Sequence, residues 1–178
     1  MHDLPTRTIA FVGRHFFRKG GDLVVNAVRM LRQRHGIDAQ LVIIGPQHLP
    51  PEIEVEPWMT VMGDQPTSTV RDVLREAHVL ALPSRYEAYG IAILESLASG
   101  VPVVGRRAFA MPEMIRQGEN GAMIETFSTE ALADALGSVV MDRALAHRTV
   151  DGAANVIAEH SWTAVADRMT SIIRRSVS

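Results

Sequence analysis

Two cationic side chains that could bind an anion lie in one glycine-bounded loop. Arg14 and Lys19 stand between Gly13 and the pair Gly20–Gly21, and Lys19 is the only lysine among 18 basic residues. An ammonium beside a guanidinium suits a phosphate, and glycine lets a ligand approach the backbone closely. We therefore predict a phosphate contact at Gly13, Arg14 and Lys19. A surface loop with solvated charges would have the same composition.

A second segment of interest runs from Pro83 to Ile91 and leads into a predicted helix. The amides that open a helix have no partner within it and attract phosphate, which here points to the backbone of Ala88, Tyr89, Gly90 and Ile91. Glu87 comes just before these amides, and its carboxylate could accept hydrogen bonds from sugar hydroxyls. A carboxylate that caps the helix is an equally good interpretation of Glu87.

Glu95 lies one helical turn beyond Ile91, so it can face the same cleft and accept hydrogen bonds from a ribose diol. The alternative is a solvent-exposed helix face whose members are Ala92, Glu95, Ser96 and Ser99. Two cations, a row of amides and two carboxylates together match the phosphates, sugar and ribose of a sugar nucleotide. In that hypothesis the two cations take the role of a metal ion.

Several other kinds of site are not supported by the sequence. The Gly-x-Gly-x-x-Gly fingerprint, the phosphate-binding P-loop, the His-Glu-x-x-His motif and the Asp-x-Asp pair do not occur. There is no cysteine, and the seven histidines are scattered. Glu52, Glu54 and Glu56 are interpreted as a solvated loop. We therefore predict neither a metal site nor a cofactor, with the sugar nucleotide bound as a substrate.

The elements that must position these residues alternate between strands and helices. Apolar runs predict strands at 8–12, 40–44, 60–62, 79–82, 102–104 and 121–124. Helices are predicted at 22–34, 70–77, 91–99 and 111–117, after a cap at Ser128, and through the last forty residues with a break near Ser161–Trp162. This alternation predicts an α/β fold, a Rossmann-like doubly wound parallel sheet in three layers. Ligands then bind beyond the carboxyl ends of the strands, after Val12, Ile44, Met62 and Leu82.

The size and charge of the chain limit the number of domains and the classes of protein to which it can belong. Its 178 residues suit one domain over 1–178, and a net charge of −2 argues against a general nucleic-acid binder. No apolar run is long enough to span a bilayer, and the N-terminus lacks a signal-peptide pattern. We therefore expect a cytoplasmic location.

At these residues the chain resembles the retaining glycosyltransferases of the B-type fold, the group 1 or family-four kind. That family includes mannosyl- and glucosyltransferases, sucrose synthase and glycogen synthase. The resemblance extends from Ile9 to about Arg174 but covers only the C-terminal, donor-binding half of such an enzyme. Besides the loop with Arg14 and Lys19 and the pair Glu87 and Glu95, it includes the motifs Pro83–Ser84, 98–104, Pro112–Glu113 and Asn120–Gly121.

The resemblance implies a role for each site residue. Arg14 and Lys19 would hold the donor diphosphate and stabilise the leaving group, Glu87 would contact the donor sugar, and Glu95 the ribose. The backbone of 88–91 would contact sugar and phosphates, and residues around 61–63 would border the nucleobase. The remaining predicted donor-site residues are Gly45, Met62, Gly63 and Ser84. The implied reaction is hexose transfer from a UDP-, GDP- or ADP-sugar with retention and without a metal.

This chain departs from the family pattern at two places. Gln47 stands where a second glycine often follows Gly45, which predicts a differently shaped loop near the donor. Phe109 and Met111 stand before Pro112, where many members have small residues, and are expected to narrow the pocket.

The resemblance also implies that an N-terminal acceptor-binding half is supplied in cis or in trans. Residues 162–178 would form the helix that crosses back to it, and any peripheral membrane association would come from that half. Alone, the chain is expected to bind donor without transferring sugar efficiently. Two alternatives stay open: a non-catalytic nucleotide-sugar-binding or scaffolding module, and half of a sugar-nucleotide epimerase.

Overall fold

A computed structural model describes residues 6–176, and its strands form one six-stranded parallel sheet. The strands are β1 (Arg7–Val12), β2 (Ala39–Ile44), β3 (Met59–Gly63), β4 (Val79–Ala81), β5 (Val103–Arg106) and β6 (Gly121–Ile124). Their order across the sheet is β3-β2-β1-β4-β5-β6. The predicted Rossmann-like, doubly wound α/β fold is confirmed.

Seven helices connect or follow these strands in the described part of the chain. They are α1 (Gly21–His35), α2 (Thr67–Glu76), α3 (Ile91–Ala98), α4 (Met111–Met114), α5 (Thr129–Met141), α6 (Arg143–Glu159) and α7 (Trp162–Ser176). The predicted cap is confirmed, since the Ser128 side chain accepts a hydrogen bond from the Ala131 amide. The predicted break near Ser161–Trp162 is also confirmed, and residues 177–178 of the expected crossover helix lie outside the described range.

Successive strands are added in one direction from β1 to β3 and in the opposite direction from β4 to β6. Strand β1 pairs with β2 on one side and with β4 on the other, so β2 and β3 fill one half of the sheet and β5 and β6 the other. Because crossovers are right-handed, α1 and α3 lie on opposite faces. The crevice beyond the carboxyl ends of β1 and β4 is where such sheets bind ligands.

The burial of the central strands explains why continuous apolar runs predict the strands correctly. Both faces of the central strands are covered, and Ile9, Ala10 and Phe11 are fully buried in succession. Helix α1 contributes a buried stripe at Leu23, Ala27 and Leu31, the spacing of one helix face, while α5 packs beside it. The six strands and helices α1 to α6 share one hydrophobic core, to which α7 contributes no described residue.

Two helix boundaries differ from the predictions by three residues, each for a local reason. Helix α2 begins at Thr67 rather than Val70, because Pro66 in an extended conformation leads directly into an exposed polar first turn. Helix α4 ends at Met114 rather than Gln117, because Ile115 is extended and its side chain lies in the core. The Asn120 side chain then bonds the Arg116 amide and the Met114 carbonyl, which fixes the turn.

Candidate functional site

Three predicted site glycines meet where β1, β2 and β3 end. The Gly13 amide donates to the Ile44 carbonyl over 2.9 Å, and the Gly45 amide donates to the Gly63 carbonyl over 2.8 Å. Gly45 has a φ of 124°, and a Cβ there would lie 2.5 Å from the Gly13 carbonyl carbon and 2.7 Å from the Arg14 nitrogen. Only glycine permits this approach, so Gly45 fixes the backbone at the start of the cationic loop.

The loops after β1 and β4 also touch each other. Gly20, in the left-handed conformation, has its backbone so close to Pro83 that a Cβ there would lie 2.7 Å from the Pro83 carbonyl oxygen. The Arg85 amide donates to the Arg18 carbonyl over 2.8 Å. The two segments that the sequence marks for chemistry are therefore neighbours at the switch point of the sheet.

Lys19 and Glu87 form a largely buried ion pair in this crevice. Lys19 Nζ lies 2.5 Å from Glu87 Oε2, and the side chains are 15% and 6% exposed. The Lys19 stem lies over Gly13, where a Cβ would come within 2.8 Å of its Cγ. The buried Ser84 hydroxyl donates to the same Oε2 over 3.1 Å, so Lys19, Ser84 and Glu87 form one contact group.

The alternative interpretation of Glu87 as a helix cap is wrong. Helix α3 has Gly90 at its N-cap, in the left-handed conformation, and no side chain caps it. Among residues 6–176, nothing accepts a hydrogen bond from the amides of the predicted row, Ala88, Tyr89, Gly90 and Ile91. A Cβ on Gly90 would lie 3.5 Å from Glu87 Cγ, so the row of amides adjoins the carboxylate.

Arg14 lies at the same edge of the sheet but has a different partner. Its Nε and Nη2 donate to the two carboxylate oxygens of Asp64, over 3.0 and 2.8 Å. Asp64 follows Gly63 at the end of β3, and both side chains of the pair are exposed. The described contacts do not join Arg14 to Lys19 or to Glu87, so the two predicted cations occupy separate positions along the edge.

Arg85 is a structural residue of the site that the sequence reading did not single out. It donates through both terminal nitrogens to the Asp22 carboxylate, over 2.7 Å each, and also to the Phe17 carbonyl. Burial raises the pKa of Asp22, but the hydrogen bonds and charge of Arg85, together with hydrogen bonds from the Leu23 and Asp22 amides, outweigh it and leave that pKa lowered. Arg85, which follows β4, thus holds both the loop that carries Lys19 and the first turn of α1 in place.

Glu95 is half-buried, and its carboxylate has no hydrogen-bond partner among the described residues. It borders an apolar hollow formed by Leu94, Ala98 and Trp162. The alternative of a solvent-exposed face fails at Ser96, which is fully buried and donates to the Val101 carbonyl over 3.0 Å. Burial raises the pKa of the Glu95 carboxyl because desolvation disfavours its charged form.

We expect Glu95→Gln to be more stable than the wild type at neutral pH. Because the folded-state pKa of Glu95 is raised, the contribution of this carboxyl to stability is fully present below its unfolded pKa of 4.5. That contribution is lost as pH rises through the folded-state pKa. Urea midpoints should therefore differ at neutral pH and coincide at about pH 4. Glu113→Gln, at an exposed carboxylate without a bonded partner in the described chain, is the matched control. Equal midpoints of wild type and Glu95→Gln at neutral pH would contradict this.

The two departures from the family pattern have different outcomes. The side chain of Gln47 covers Gly63, where a Cβ would lie 2.7 Å from the Gln47 amide oxygen. Phe109 has a φ of 56°, is half-exposed, and packs edge-on against Tyr86 at 5.3 Å. The expectation that Met111 narrows the pocket is wrong, because its side chain is fully buried and its sulfur accepts from the Arg106 amide.

Met62, the last of the predicted donor-site residues, lies near the end of β3. Met62 is partly buried, and its carbonyl accepts from the Gln65 side chain over 2.6 Å. Glu52 and Glu54 are exposed, whereas Glu56 binds Arg29 over 2.6 Å. Across residues 6–176 no group of three or more His, Asp or Glu side chains is arranged to hold a metal ion. Within the same residues, no helix is long and apolar enough to cross a membrane.

A partly open cavity of about 120 Å³ lies elsewhere, where α3, α6 and the turn that follows α4 meet. Leu97, Met114 and Thr149 are part of its wall, and none of the predicted site residues lines it. The predicted site is an open edge rather than a closed cavity. The charged pair of Lys19 and Glu87 adjoins the free amides at that edge.

Comparisons with known proteins identify the family of the chain. The family model described as glycosyl transferases group 1 matches residues 6–142. D-inositol 3-phosphate glycosyltransferase of Corynebacterium glutamicum (strain R) is 30% identical over 187 residues, which cover 98% of this chain and 45% of that protein. The chain therefore spans about half the length of this relative.

Two solved structures are similar in fold. Anabaena Alr3699/HepE, in complex with UDP-glucose, has a TM-score of 0.79 at 15% identity over 96% of this chain and 49% of that one. The C-terminal domain of a group 1 glycosyl transferase (LpcC) from Francisella tularensis has a TM-score of 0.72 at 21% identity, covering 86% of this chain and 85% of that domain. The chain belongs to the group 1 glycosyltransferase family, and its extent corresponds to the C-terminal domain of a B-type-fold member.

Proposed function

We propose that the chain, as a single domain over 1–178, binds the donor of a retaining glycosyltransferase that transfers a hexose from a nucleoside-diphosphate sugar. The observation that carries this proposal is the Lys19–Glu87 pair, which joins the loops after β1 and β4 beside a row of unpaired amides. A cation, a carboxylate and helix-start amides at a switch point suit a ligand that has both phosphates and hydroxyls.

Each group of the pair retains capacity for the donor. An ammonium has three donors and the Glu87 contact uses one, so Lys19 can also donate to a diphosphate oxygen. Both described bonds to Glu87 reach Oε2, which leaves Oε1 to accept from a sugar hydroxyl. When the bond from the anomeric carbon to the diphosphate breaks, charge develops on the leaving diphosphate. Lys19 and Arg14 would stabilise it without a metal.

The donor class follows from the same geometry. The backbone of 88–91 is proposed to contact the sugar and phosphates, Glu95 the ribose, and the end of β3 the nucleobase. HepE, of similar fold, is described in complex with UDP-glucose, which supports a nucleotide sugar as the ligand class. UDP-, GDP- and ADP-sugars are the candidates.

A second half is proposed to complete the enzyme, in cis or in trans, and to supply the acceptor site. Helix α7 exposes large apolar side chains at Trp162, Met169 and Ile173, which are 90%, 59% and 60% exposed. Their spacing of seven and four residues places them on one helix face. We propose that this face packs on the acceptor-binding half, so that the chain alone binds donor but does not transfer sugar. Membrane association, if any, would come from that half, and a cytoplasmic location stays a prediction.

The binding of nucleoside diphosphates tests the proposal. UDP, GDP and ADP should be titrated into the chain, and at least one should raise the melting temperature and shift the amide signals of 88–91. We expect Arg14→Ala to weaken binding about 10- to 150-fold, the effect of losing a charge-assisted hydrogen bond. Arg34→Ala, at an exposed arginine of the last turn of α1, is the control. The proposal fails if none of the three nucleotides binds.

A further inference from the structure

The ion pair between Arg14 and Asp64 is bidentate. Nε and Nη2 of Arg14 face the two carboxylate oxygens as a planar fork, over 3.0 and 2.8 Å. The side chains are 74% and 48% exposed, and pairs so exposed contribute little to stability. A fork at so exposed a position can therefore serve a geometric role, since the fold depends little on it.

The backbone under both side chains is fixed by the glycines at the strand ends. Gly45 lies against the Arg14 nitrogen and donates to the Gly63 carbonyl, and Gly63 immediately precedes Asp64. Arg14 and Asp64 therefore close a ring of contacts that spans the ends of β1, β2 and β3. Such a ring leaves the guanidinium few ways to turn.

The fork also leaves one side of the guanidinium unoccupied. Arginine has five N–H donors, and the contact with Asp64 uses one on Nε and one on Nη2. Within residues 6–176 the other three donors, two of them on Nη1, have no hydrogen-bond acceptor. These three can bind a phosphate while the fork is kept.

We propose that Asp64 is a positioning residue, which holds the Arg14 guanidinium so that its free edge meets the donor diphosphate. This inference rests on the proposed function and adds a residue to it. Asp64 offsets the entropy that Arg14 would lose on ordering at the moment of binding. Its negative charge repels the diphosphate in turn, but the exposed setting and salt screen that repulsion.

The test is a double-variant cycle on nucleotide affinity in the 178-residue chain. UDP, GDP and ADP are titrated, and the tightest is used for Asp64→Asn, Arg14→Ala and the combined variant. We expect Asp64→Asn to weaken binding about three- to tenfold, as the ordering of one long side chain predicts. In the Arg14→Ala background the same change should have no weakening effect. Asp64→Glu, which retains the carboxylate, should restore most of the affinity.

A direct readout of orientation accompanies the cycle. The Arg14 Nε–H signal should be protected from exchange with water in the wild type and lose that protection in Asp64→Asn. Unchanged or tighter binding by Asp64→Asn would overturn the inference, as would equal weakening in the presence and absence of Arg14. If the wild type binds none of the three nucleotides, the proposed function fails and the inference falls with it.

Discussion

Lys19→Met is expected to lower the free energy of unfolding by about 3 kcal/mol and to remove most of the diphosphate binding. Methionine keeps an unbranched stem over Gly13 but removes the charge. It leaves the Glu87 carboxylate, 6% exposed, with only the Ser84 hydroxyl as a partner. An uncompensated buried charge is the reason for the large effect. Chemical denaturation measures the stability, and nucleotide titration measures the binding.

The double variant Lys19→Met/Glu87→Gln separates the two effects. It removes both charges, so stability should return to within about 1 kcal/mol of the wild type, because a neutral pair has no uncompensated charge. Diphosphate binding should stay lost, because no ammonium has been restored. If Lys19→Met alone is as stable as the wild type, the pair is more hydrated than its 15% and 6% exposures indicate.

Gly45→Ala is expected to destabilise the chain by about 3 kcal/mol or more. The added Cβ would lie 2.5 to 2.7 Å from backbone atoms of Gly13 and Arg14, which cannot rotate away as a flexible side chain could. The φ of 124° also lies outside the range that alanine favours. Because relief requires the end of β1 to move, the affinity for a nucleoside diphosphate should fall as well.

Gly152→Ala is the matched control for that substitution. Gly152 lies inside α6, and a Cβ there meets no atom within 4 Å. Alanine in a helix interior is favoured over glycine by about 0.5–1 kcal/mol, so this variant should be slightly more stable than the wild type. A Gly45→Ala chain with the denaturation midpoint of the wild type would show that the three strand ends tolerate displacement.

The fold could be predicted because its signals are local. Buried parallel strands appear as continuous apolar runs, and strand-ending residues such as Gly45–Pro46 and Pro83 mark where they end. The errors are also local: the pattern predicts α4 to continue to Gln117, but the Asn120 side chain draws the chain into a turn. A side chain that bonds backbone several residues away leaves no periodic signature.

The candidate site was predictable in its location but not in its pairings. The strand-end rule places Lys19 and Glu87 at one edge although 68 residues separate them. It does not say that they touch each other, nor that Arg14 turns to Asp64, 50 residues away, or Arg85 to Asp22, 63 residues away. These partners depend on loop conformations within an ångström or two, which residue types and spacing do not determine.

The neutral character of the Lys19–Glu87 pair has a kinetic consequence. Since its two charges cancel at close range, the pair projects little field into solvent, and the Arg14–Asp64 fork likewise offsets its own charge. Long-range attraction of an anionic ligand then depends on cations such as Arg18, which is exposed and has no carboxylate partner among the described residues. Salt should therefore slow association, whereas the dissociation rate should depend on the sheltered contacts at Lys19.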